Sequence, residues 1–126
     1  MTKAETGRRG EDLAAALLEG KGYRVLDRNY RWQREEVDIV AFQPAPANDG
    51  GTIVFVEVKA RRGTGFGRPE AAVDAAKQQA VMRVAEAYLH ERRLMPSPTR
   101  FDVVAVLFGQ GEPEVEHFEN AFGYFV

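Results

Sequence analysis

Apolar positions along this chain switch between helical and alternating spacing, and the switches mark out its elements. Leu13, Ala14, Leu17 and Leu18 form one stripe, which predicts a helix over residues 6–20 with Thr6 as its N-cap. Gly22 suits the left-handed position that ends it. Tyr23 to Tyr30 reads as a first, less regular strand, and Trp32 to Glu35 as a turn. Two strands follow, Val37–Phe42 and Ile53–Lys59, joined by the loop Pro44–Gly51. A basic, glycine-rich loop covers 61–69, and Pro69 is placed to open a second helix running to about Arg93, broken near Asp74. After Pro96-Ser97-Pro98 come a strand at Arg100–Phe108, a turn at Gly109–Pro113, a short edge strand near Val115–Phe118 and an aromatic tail. The order is α-β-β-β-α-β-β. Both faces of the central strands are apolar, so the expected fold is α/β, a mixed central sheet flanked by helices on two sides.

Charges interrupt those apolar strands. Asp38 lies in the first of the pair, and Glu57 and Lys59 lie in the second. Such groups cost several kcal/mol in an apolar setting unless paired or bound to a metal. Side chains alternate along a strand, so Phe55, Glu57 and Lys59 share one face, and Asp38, Val40 and Phe42 share another. Pairing residues whose numbers sum to 95 sets Val40 against Phe55, Phe42 against Ile53 and Asp38 against Glu57. A one-residue slip would throw Asp38 to the other face. Two carboxylates so placed would hold Mg²⁺ or Mn²⁺, with Lys59 assisting an attacking water or a phosphate. The alternative is an acid–lysine ion pair that only balances charge.

Composition narrows the class. At 126 residues the chain reads as a single domain, residues 1–126, with enough length for a real core. It has no cysteine, which excludes a disulfide scaffold and a thiolate zinc site and fits a reducing cytosol; a cytoplasmic protein is expected. The N-terminus reads as polar and leads straight into a helix, with no signal sequence, and the longest apolar run, Val103–Phe108, is far short of a membrane span. Net charge is −2, yet all 17 Lys and Arg residues fall within 1–34 and 59–100. Those segments carry +3 and +5, while 35–58 and 101–126 carry −5 each. A molecule polarised in this way can steer a polyanion, although ordinary solvated charge explains the pattern equally well.

Other residues extend the candidate site. Glu11 falls on the edge of the first helix's inward stripe and would reach the carboxylates; a first-turn acid favoured by the helix dipole is the alternative. Gly10, nearer the stripe's centre, would let that helix approach the sheet closely. Glu36 would either supplement Asp38 or pair with a surface arginine. Lys77 falls on the second helix's inner stripe with Val73, Ala80, Val84 and Tyr88, either contacting phosphate or a site carboxylate or reaching out to solvent. The loop carrying Arg61, Arg62, Phe66 and Arg68 leaves the site directly and offers phosphate contacts and a stacking ring. Arg8 and Arg9 extend that cationic track, as do Arg28, Arg31 and Arg34, while Trp32 is set either for the core or for a dimer contact. His90 and His117 have no ligand spacing and read as structural or surface groups.

Taken together, Glu36-Val-Asp-Ile-Val40, Phe55-Val-Glu-Val-Lys59, Phe66-Gly67, Lys77, Arg100-Phe-Asp-Val-Val104 and Asn120-Ala-Phe122 resemble the bacterial YraN family, as do Gly7–Glu11 and Arg28-Asn29. That largely uncharacterised family is similar to Holliday-junction resolvases and restriction endonucleases of the PD-(D/E)xK superfamily. The resemblance implies a restriction-endonuclease-like core. It implies metal binding by Asp38 and Glu57, catalytic support from Lys59 and a helix-one acid role for Glu11. Asp102 matches a family position without an evident chemical role. Where the family pattern has Gly before Glu36, this chain has Glu35, so a different turn backbone is expected there. The function so implied is a metal-dependent endonuclease acting on structured or branched DNA, with a homodimer suited to cutting two strands. A nucleic-acid-binding module that does not cut and a protein-interaction scaffold built on the acidic, aromatic C-terminus are the alternatives.

Overall fold

A computed structural model describes residues 1–46, 50–63 and 73–123. Its elements are α1 (Lys3–Gly20), β1 (Arg24–Trp32), β2 (Glu35–Pro44), β3 (Gly51–Arg62), α2 (Ala75–Glu91), β4 (Thr99–Phe108) and β5 (Glu114–Phe122). One five-stranded sheet takes them in chain order, β1-β2-β3-β4-β5. All neighbours are antiparallel except β3 and β4, whose parallel pairing is made possible by the crossover through α2. The expected α/β architecture and element order hold.

The sheet is apolar on both faces because a helix covers each. On one, Ala14, Ala15 and Leu18 of α1 pack on Ile39, Ala41, Val54, Val56, Val104 and Val106. On the other, Val81, Val84, Ala85 and Tyr88 of α2 pack on Val40, Phe55, Phe101 and Val103. Central strands buried on two sides run apolar, and the buried stretches of β3 and β4 are so except at Glu57 and Asp102. Among the described residues, no helix is long and apolar enough to cross a membrane.

Several boundaries differ from expectation. Helix α1 begins three residues earlier, capped by the Thr2 hydroxyl, which accepts the Glu5 N–H at 3.1 Å. Thr6 is inside the helix instead, buried, with its hydroxyl donating to the Thr2 carbonyl. The turn after β1 is tighter than Trp32–Glu35, because Gln33 takes a left-handed φ of 57° and lets Trp32 and Glu35 pair across it. Glu35 therefore sits in strand rather than at a turn position that would call for glycine. Trp32 packs, partly buried, against the α2-side core. Asp74, where a break was expected, is the N-cap of α2, its carboxylate accepting the Lys77 N–H at 2.8 Å. Strand β5 runs nine residues rather than four, since Phe118 and Phe122 both turn into the α2-side core. That packing removes half the aromatic surface on which an interaction scaffold would rest; Tyr124 and Phe125 lie outside the described residues, as does Pro69.

Candidate functional site

Helix α1 crosses the sheet in close contact with β3, and Gly10 makes that possible. A Cβ there would stand 2.6 Å from the Ala60 Cβ. The stripe next to Gly10 brings Glu11 in beside β2, where its charge acts on Asp38. Helix α2 presents Lys77 from the other face, four residues before Val81 on the buried stripe.

Between them, β2 and β3 pair in the expected register from Pro44–Gly51 to Ile39–Val56, including Phe42–Ile53 and Val40–Phe55. Just past that ladder stand Asp38 and Glu57. The Asp38 carboxylate accepts the Val58 N–H at 2.8 Å, so the side chain takes the place of a strand partner. Strict alternation fails here: Val37 joins the α2-side core with Val40, whereas Ile39 and Ala41 face α1. Parity along a regular strand would have set Val37 with Ile39 and Ala41.

Glu57 is 2% exposed, and its Oε1 is a buried oxygen without a hydrogen-bond partner. Among the described residues only Glu35 Oε2 shares that condition, and Arg83 satisfies the other Glu35 oxygen at 2.7 Å. The Lys77 Nζ lies 3.8 Å from Glu57 Oε2 and donates to the Glu36 carbonyl at 3.4 Å. Burial and the neighbouring Asp38 charge push the Glu57 carboxyl up to about 8, against the pull of Lys77 and Lys59. Burial raises Asp38 as well, to about 6; Glu11 and Glu36 add to the rise, while the Val58 amide and Lys77 oppose it. The two acids share a site with too little positive charge to keep both ionised.

Glu11, Asp38, Glu57, Lys59 and Lys77 thus act on one locus, Lys59 through its charge from the half-buried end of β3. Arg28 holds Glu11 at 3.7 Å and Asp12 at 2.7 Å, so it balances helix-one acids instead of extending a free cationic track. Arg31 does the same for Glu36 at 3.2 Å. Arg9 and Arg62 lie elsewhere, near Met1 and Phe108. Arg8 and Arg61 are exposed, and alternation puts Arg61 on the Glu57 face rather than beside Arg62. Phe66 and Arg68 lie outside the described residues. Among the described residues, no group of three or more His, Cys, Asp or Glu side chains is arranged to cage a metal. Two carboxylates with an orphaned oxygen still fit a hard cation that completes its shell with water and phosphate.

A second buried cluster escaped the sequence reading. Asp102, fully buried, receives Arg100 through Nε at 2.9 Å and Nη2 at 3.0 Å, His117 at 2.7 Å and the Asn120 N–H at 2.9 Å. Burial works against its ionisation, but the bonds from His117, Arg100 and Asn120 prevail and hold it below the usual carboxylate range. Lys21 lies 2.9 Å from His117 Nδ1. An ammonium only donates, so Nδ1 accepts and the Nε2–H points at Asp102. The signal was present: Arg100 and Asp102 stand two apart in an apolar strand, the same pattern that singled out Glu57 and Lys59.

Fold and site together define a helix-flanked mixed α/β domain with a desolvated two-carboxylate centre. The family model for uncharacterised protein family UPF0102 matches residues 10–106, and the chain belongs to that family, the YraN group its motifs resemble. It is 49% identical over 116 residues to a UPF0102 protein of Syntrophotalea carbinolica, covering 92% of this chain and 89% of the relative. A UPF0102 protein of Geobacter sulfurreducens is 47% identical over 117 residues, covering 92% and 87%. One from Rhodococcus opacus is 44% identical, covering 92% and 94%.

Proposed function

We infer that this protein is a divalent-metal-dependent endonuclease that hydrolyses phosphodiester bonds in structured or branched DNA. The observation that carries the reading is the buried, unpartnered Glu57 Oε1 beside Asp38. An acid pair pushed towards protonation by its own burial is short of positive charge, and Lys77, 3.8 Å from Glu57 Oε2, does not make up the deficit. Mg²⁺ or Mn²⁺ held by Asp38 and Glu57 would supply charge stabilisation at phosphorus and a more acidic water.

The chain's own groups account for the remaining needs. The Val58 amide fixes the Asp38 carboxylate, and Lys77, tied to the Glu36 carbonyl, limits the travel of Glu57. Lys59 carries a donor to where negative charge grows on the phosphate. Water adds to phosphorus as its hydroxide, the bond to the leaving deoxyribose oxygen breaks, and the proton the water gives up ends on that oxygen. Glu11, kept near Asp38 by Arg28, is placed to order that water.

A second reading, a nucleic-acid-binding module of the same fold that does not turn over, draws on the absence of a three-acid cage among the described residues. Cleavage of a labelled four-way junction and a matching duplex separates the two. The endonuclease reading expects cutting in Mg²⁺ or Mn²⁺, none in EDTA and a loss of at least about 100-fold in Glu57→Ala. Binding without cutting in either metal would favour the module.

A further inference from the structure

Beyond the carboxylate centre, at the far end of β3 on the α1 side, lies an open cleft of about 630 Å³. Its walls include Arg9, Arg62, Gly63, Phe108, Gly109 and Gly111. The Arg9 guanidinium sits 5.1 Å over the Phe108 ring and donates to the Met1 sulfur at 3.2 Å. Arg62 donates to the Met1 carbonyl at 3.3 Å. Both partners are neutral. Among the described residues neither arginine has a carboxylate within ion-pair distance, whereas Arg28, Arg31, Arg83, Arg92 and Arg100 all do. Among the described residues, two like charges face one cleft without a counter-charge, and the glycines add no side chain to its walls.

We propose that this cleft binds a backbone phosphate of the nucleic-acid strand, a few nucleotides from the phosphodiester that lies at the carboxylate centre. The assignment rests on the nuclease reading above and adds a second anchoring point to it. Five residues of strand separate Glu57 from Arg62, about 16 Å of β3. A strand of B-form DNA carries one phosphate per about 3.4 Å of axis, so a few nucleotides span the interval. Among the described residues, Arg9 lies over Phe108 with only Nη1 engaged, on the Met1 sulfur, and guanidinium forks match phosphate oxygens. Contacts of this kind set position and carry no sequence preference.

The test is the salt dependence of binding to a labelled duplex in Ca²⁺, for the full chain and for Arg9→Gln, Arg62→Gln and Arg62→Lys. Each Gln variant should flatten the slope of log K against log salt, by up to about 0.9, the release from one phosphate. Arg62→Lys should restore it. Exposed Arg24, at the opposite end of the molecule, serves as control, and Arg24→Gln should leave the slope unchanged. Melting temperatures, and their rise in Mn²⁺, should match the unsubstituted chain in all of these, which separates lost contact from lost fold. Unchanged slopes in both Gln variants, with the parent chain binding normally, would overturn the cleft and leave the nuclease reading standing. A parent chain with no salt-dependent affinity for DNA would overturn both.

Discussion

Glu57 shows how one buried side chain can work against the fold that holds it. Its carboxyl is pushed above its ordinary value, so between about 4.5 and 8 the folded chain binds more protons than the unfolded one. Stability must then fall as pH rises through that window, the opposite of a salt-bridged acid. Asp38 acts in the same sense. Glu57→Gln, measured in EDTA, should therefore melt higher than the parent at pH 8. Holding a carboxyl protonated tenfold more tightly costs the ionised fold about 1.4 kcal/mol, or roughly 4–7 °C for a chain of this size. The advantage should shrink towards pH 5; a variant that melts lower at pH 8 would contradict the account. Asp38, Glu57 and Lys59 could be read from sequence because charge inside an apolar run is conspicuous. Lys77 could be read because it continues a helical stripe. The Val58 amide bond to Asp38 could not, since it depends on where the β2–β3 ladder stops.

Among the elements, the contact of α1 with β3 decides whether Glu11 reaches the site. Alanine is the better helix former by about 1 kcal/mol, yet at Gly10 its Cβ would meet the Ala60 Cβ at 2.6 Å. Gly10→Ala should cost about 1–3 kcal/mol from overpacking. Adding Ala60→Gly should recover at least about 1 kcal/mol of that, seen as favourable coupling in a double-mutant cycle by urea unfolding. Additive effects would mean that the helix does not press on β3 as described. Element types and order were legible from periodicity, and so was the close approach at Gly10. The ends were not. Thr2 and Thr6 are equally good caps by type, and only the burial of Thr6 distinguishes them. The length of β5 was hidden because Glu114 and Glu116 share the parity of Phe118 and Phe122 yet stay exposed on an edge strand. The break in alternation at Asp38 was hidden because parity assumes a regular strand.

At the scale of the whole molecule, two buried acids play opposite parts. Asp102 is satisfied on every side and joins β4, β5 and, through Arg100, Tyr23 and Gln43. Its depressed carboxyl contributes stability that is present above about pH 4 and is lost as pH falls through the folded value. Asp102→Asn should cost about 3–5 kcal/mol at pH 7, because it leaves the largely buried Arg100 with only the exposed Glu119 as counter-charge, and the deficit should narrow below pH 4. The Asp38–Glu57 centre is the reverse, an under-satisfied site whose missing component is a cation. Calorimetric titration of the full chain with Mn²⁺, at pH 7 and beside Glu57→Gln, tests that claim most directly. The account predicts saturable binding to the parent chain, protons released as the raised carboxyls ionise, and an affinity at least about 10-fold weaker in the variant. Equal binding by both proteins, or no binding to the parent, would contradict it.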